Sequence, residues 1–132
     1  MKAAIKIAIA LVLFHLLVVV VHGAAHSHLR IPTLAWQNVF IAVVIFAAPL
    51  LATVLLWTRW HTAGFLVLGL SFAGSLIFGL FYHFLVSSPD HVSHVAHTAW
   101  GATFRLTAAL LAIVETAGCL LGMQRIRRIL SL

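Results

Sequence analysis

A chain of 132 residues with 64% hydrophobic and 8% charged side chains cannot cover itself with a water-compatible surface, because soluble domains carry about a quarter charged residues. Its formal net charge of +6 comes from eight Lys and Arg against two acids, and the basic residues are too few and too dispersed to form a nucleic-acid-binding face. The composition requires an integral membrane protein, and the length allows one domain.

The first apolar run covers about 3–21, opens with Lys2 and Lys6, and carries His15. Its charged start and the small residues Gly23-Ala24-Ala25 also fit a cleaved signal peptide, although the run is long for one. Cleavage there would leave His26-Ser27-His28 at a new terminus, a planar nitrogen set suited to Cu(II). About fourteen residues lead to the second run, 35–56, where Pro49 lacks the N–H of a regular helix and predicts a kink. A short connection around Arg59 leads to the third run, 63–86, with Ser71, Ser75, Gly79 and His83 at four-residue intervals on one face. In the next connection, Ser88-Pro89-Asp90 offers a capping hydroxyl, Pro in first position and an acid in the first turn. These signals predict an interfacial helix over 89–97, ahead of a fourth run at 98–122. Each run has the roughly 20 residues that cross the hydrocarbon layer, and none alternates as a membrane barrel strand does. The expected fold class is all-α, a single four-transmembrane-helix bundle over 1–132 with short loops.

Basic residues set the expected orientation. Lys2, Lys6, Arg59, Arg125, Arg127 and Arg128 belong to one side of such a bundle, and Arg30 to the other. Cytoplasmic loops are the Lys/Arg-rich ones, so both termini are expected in the cytoplasm, most simply at a bacterial inner membrane. Trp57 and Trp60 would mark the inner interface, with Trp36, Tyr82 and Trp100 at the outer one.

Along the fourth run, His94, Thr98, Gly101, Arg105, Ala108, Ala112, Glu115, Cys119 and Gly122 recur at steps of three and four. Small and polar residues in such a stripe face neighbouring helices. Arg105 and Glu115 are charges within a span and need partners, but ten residues, about 15 Å, separate them along the helix. Glu115 is expected level with Ser71, either uncharged and hydrogen-bonded to Ser71 or Thr116, or acting as a proton relay or cation contact. Arg105 would meet an anionic group or stretch to the outer interface. Cys119 is alone, so no internal disulfide forms.

Eight of the nine histidines fall in the outer half or its loops, and His61 alone lies inside. Imidazole is a poor neighbour for lipid and a common metal ligand. His22-x3-His26 puts two rings on one helical face, and Asp90-His91-x2-His94-x2-His97 adds a carboxylate and three imidazoles. The leading expectation is an outward-facing histidine-rich pocket that binds or handles a divalent transition metal, Cu or Zn. Its ligands would come from His22, His26, His28, Asp90, His91, His94 and His97. His22, His26, His91 and His94 are favoured, with Asp90 as ligand or as the acceptor that orients a ring. Methionine is scarce, which argues against a thioether-based Cu(I) carrier.

Two other functions fit the same chain. His15 and His83, on helices running the same way, could hold a b-type haem with Arg105 receiving a propionate, or line a quinone site. Alternatively the small-residue faces serve partner helices, making the chain a non-catalytic accessory subunit of a homo-oligomer or larger membrane complex. Nothing points to catalysis, since nucleophile turns, phosphate loops and Cys-based zinc motifs are absent. The charge bias predicts that Ser27→Cys and Ser93→Cys label with a membrane-impermeant maleimide from outside the cell, while a cysteine at Arg128 does not. Opposite accessibility of the first two positions would overturn the orientation.

Overall fold

Lipid offers no hydrogen-bonding partner, so each apolar run closes its backbone into helix. The computed structural model describes residues 2–131, apart from the side chains of residues 129 and 130. Helix α1 (Lys2–Leu29) runs straight through Gly23-Ala24-Ala25 and ends eight residues past the apolar run. Its buried residues Ala4, Ala8, Val12, His15, Val19, His22 and Ala25 follow steps of three and four, one continuous face. Arg30 stops it in the left-handed region (φ 52°), and the Ile31 N–H returns to the His26 carbonyl at 3.1 Å. That is a helix-ending motif in which glycine is the usual residue.

The second span joins α2 (Ala35–Phe40), a π-helical segment (Ile41–Ala47) and α3 (Ala48–Leu56). The expected disturbance at Pro49 takes this form: the ring cannot donate to the carbonyl four residues earlier, and the winding loosens over the segment that contains it. Helix α4 (His61–Leu80) continues into a π turn at Phe81–Leu85. Helix α5 (Ala99–Leu130) begins where the Thr98 hydroxyl accepts the Gly101 N–H at 3.1 Å. Residues 86–98 form turns and bends in place of the expected interfacial helix. The Ser88 hydroxyl accepts the Asp90 N–H and itself donates back to the Tyr82 carbonyl, which ties the segment into turns.

Helix α5 packs against α1 and α4, and α4 also packs against α3. Small residues permit these approaches. A Cβ added at Gly122 would fall 2.7 Å from the Gly69 Cα, and one at Gly64 2.9 Å from the Leu56 nitrogen. Gly118 backs directly onto the Phe72 ring. Phe65, Leu68 and Phe72 fill the core with Ala8, Val12 and Leu56. Leu17, Val54, Leu70, Ile77, Leu106 and Ile113 are 61% to 69% exposed, the apolar exterior that a bilayer requires. All four spans are long and apolar enough to cross a membrane.

Gly122→Val should therefore force α4 and α5 apart and destabilise the bundle by about 1–3 kcal/mol, read as a lower unfolding midpoint in detergent. Gly23→Ala should leave the midpoint unchanged or slightly raised, because nothing lies within 4 Å of the added carbon.

Candidate metal centre

At the end of the bundle remote from both termini, three imidazoles from two spans meet. His22 and His26 are one turn apart on α1, and His83 comes from the π turn that ends the third span. The His22 ring centroid lies 4.9 Å from those of both His26 and His83. One nitrogen of each ring falls within 4.8 Å of one nitrogen of each other ring. The Phe104 ring of α5, fully buried, backs all three at 4.6 to 5.2 Å. The π turn matters here because its extra residue changes the rotation of the side chains around the helix axis, and it turns His83 inward.

The partners of each ring define which nitrogen is free. The Thr107 hydroxyl donates to the Thr103 and Phe104 carbonyls at 2.7 and 3.1 Å. Its oxygen can therefore only accept from His22 Nδ1, 2.8 Å away. That leaves His22 Nε2 with its lone pair, buried and without a partner. His83 Nδ1 lies 3.1 Å from the Asp90 carbonyl oxygen, another acceptor, so its Nε2 also keeps a lone pair. The Asp90 carboxylate Oδ1 stands 3.0 Å from His26 Nε2 and 3.5 Å from His83 Nδ1. His26 Nδ1 is then the lone-pair side, and it too is buried without a partner. His22 and His83 thus each direct an N–H to an oxygen, and His26 Nε2 stands at ion-pair distance from the Asp90 carboxylate, so each ring has a second nitrogen available to a metal.

Burial by itself would raise the Asp90 carboxyl. Hydrogen bonds and positive potential from His26 and His83 outweigh it and hold the group well below the usual carboxylate range. The Val92 N–H adds a bond to the His83 carbonyl at 3.0 Å, so Asp90 and Val92 both tie the loop to His83.

The remaining expected ligands lie apart. His28 stacks on Trp100 with centroids 4.0 Å apart and planes at 11°. His91 is occupied on both nitrogens, by the Ser93 hydroxyl and the Phe84 carbonyl. His94 Nδ1 donates to the Ser88 carbonyl at 2.8 Å, and His97 is exposed. These loop rings clamp the irregular backbone of 86–98 and do not join His22 and His26.

The pair considered for haem is also separated. His15 sits seven residues before His22, about 10 Å deeper along α1, whereas His83 lies beside His22. His15 Nε2 lies 3.1 Å from Glu115 Oε1, and the His15 ring leans on Phe72 with centroids 4.6 Å apart. Arg105 Nη1 donates to the Val95 carbonyl at 3.1 Å, so it anchors the loop and faces no ligand with His15 or His83. Glu115 accepts from Ser75, one turn from the expected Ser71, which instead bonds within its own helix. Sequence reasoning placed His83 in the haem pair and missed Thr107; the four-residue spacing from Ser75 through Gly79 to His83 was the signal for an inward His83. The chain matches no protein-family model, no curated protein and no solved structure.

Because the folded Asp90 carboxyl ionises below its ordinary range, it stabilises the fold at pH above about 4, the unfolded value, and that contribution fades as pH falls below it. Asp90→Asn should remove this acid dependence and speed amide exchange over 86–98 at pH 7. Identical exchange in both proteins would count against the Asp90 tether.

Proposed function

We propose that His22, His26 and His83 bind a divalent transition metal ion at the extracytoplasmic face of a bacterial inner membrane. One observation carries this reading: His22 Nε2 and His26 Nδ1 are buried donor atoms without hydrogen-bond partners, beside a third ring. A buried polar atom without a partner is costly, and a metal ion is the partner that suits several imidazole lone pairs together. A tetrahedral site needs nitrogen donors roughly 3.3 to 3.4 Å apart around an ion about 2.0–2.1 Å from each, so each ring moves inward by about 1 Å or less.

Asp90 acts as the acceptor that orients His26 and His83, and Thr107 does the same for His22. Such outer partners fix the tautomer and raise the basicity of the ligand. Three protein ligands leave the fourth position of a tetrahedral ion open to water or an incoming group. The rings are mutually tilted, with 67° and 69° between the planes of His22 and its two neighbours, and come from separate spans. This favours Zn2+ over Cu2+, which prefers a planar nitrogen set. An open, exchangeable position supports a task of capturing and handing on the ion.

Elemental analysis and titration calorimetry of the detergent-purified protein should give one zinc per chain. His22→Ala, His26→Ala and His83→Ala should each reduce that to near zero, while His91→Ala and His94→Ala retain it. Thr107→Val should keep the ligands yet weaken binding on the order of 10–100-fold. Full zinc content after removal of all three inward rings would overturn the proposal.

A further inference from the structure

Below the three rings the protein encloses far more space than an ion needs. A cavity of about 450 Å³ extends from His26 and Asp90 at its mouth to Ser75 and Glu115 at its floor. Its walls include Val19, Ile45, Phe46, Phe78 and Leu111. Such a volume, mostly apolar with a few polar groups, is that of a small-molecule site. Helix α1 packs against α5 and α3 and makes little contact with α2 or the π segment of the second span. Val20 and Phe46 line the cavity on that side, facing the interior of the bilayer.

The floor has a definite chemistry. Ser75 and His15 both direct their donors at Glu115 Oε1. Both contacts fall on the same oxygen of the acid, and its other oxygen takes neither. His15 is fully buried and its Nδ1 has no partner. Among the described residues no Lys or Arg pairs with Glu115. Oε2 receives no hydrogen bond among the described residues, and the nearest backbone beside it is Gly79, where an added Cβ would still stand 3.9 Å away. An embedded acid whose one ion-pair partner among the described residues is the His15 ring, with its second oxygen left free, is costly in hydrocarbon, and apolar walls cannot replace the water shell of a bare ion.

We infer that this cavity binds a membrane-soluble organic cation of the alkyl- or arylammonium class, with its charge on Glu115 Oε2. Phe46 and Phe78 supply aromatic rings to the charge, and the aliphatic walls take the apolar body. Arg30 at the mouth opposes cations arriving from water, so the ligand enters from the membrane beside α1. The acid lies at the opposite end of the cavity lining from His26 and uses none of the three metal-binding rings.

Calorimetry with benzyltrimethylammonium and with neopentylbenzene, its uncharged isostere, tests this directly. Wild-type protein should bind the cation saturably and the hydrocarbon not at all. Glu115→Gln should bind the cation roughly tenfold or more weakly, as loss of a desolvated charge pair requires. Gly79→Leu, whose Cβ meets only ordinary contacts, should fill the space beside Oε2 and abolish binding with the carboxylate still present. Thr107→Val, whose side chain lies outside the cavity lining, should bind the cation normally while weakening zinc binding, which separates this inference from the metal reading. Equal affinity for the isostere, no saturable binding by the wild type, or wild-type affinity in Gly79→Leu would overturn it.

Discussion

Water is absent from the hydrocarbon layer, so each polar side chain on a spanning helix must turn inward and find a partner there. In this chain that constraint concentrates chemistry on one axis. His15, His22, Ser71, Ser75, Thr107 and Glu115 are all nearly inaccessible, while Leu17, Leu70, Ile77 and Ile113 face out. Packing cannot rely on the hydrophobic effect in such a medium. It relies on close contact, which the Gly69–Gly122 approach and the Gly118–Phe72 contact provide. The same preference for small residues leaves only ordinary contacts at Gly79, beside Glu115 and His83, so small residues supply both close helix approaches and room at the cavity.

Two departures from regular helix then aim the site. The π turn at Phe81–Leu85 brings His83 against His22 and His26. At the end of α1, Arg30 adopts a conformation that costs a non-glycine residue about 1–2 kcal/mol and is held by the Ile31 to His26 hydrogen bond. Strain of this kind tends to sit at functional places, and Arg30 lines the mouth of the cavity. Asp90 connects the two, since its side chain reaches His26 and its carbonyl reaches His83. The loop is therefore part of the site and not merely a connection.

The cavity joins two different chemistries. Its mouth offers imidazole nitrogens, which suit a borderline transition ion, and its floor offers the hard oxygen of an acid among apolar walls. Seven residues of α1, about 10 Å, separate His15 beneath the floor from His22 above, and a single cavity is lined by both His22 and Glu115.

The four spans were legible in sequence because hydropathy is a property of single residues summed over a run, and lipid imposes it on every position. The inward stripes were legible too: His15, His22 and His26 by helical period, Ser75 through His83 by four-residue spacing, and Glu115 as a charge that could not face lipid. Ser88-Pro89-Asp90 misled because a helix cap and a turn share the same local chemistry. Tertiary contacts decided between them, with His83 and His94 bonding the Asp90 and Ser88 carbonyls. Which histidines meet depended on the rotation and depth of helices distant in sequence, and a single π turn shifts that rotation without any signature in composition. Residue type thus determined that the polar groups would lie inside, and only the packed bundle decided which of them would share a site.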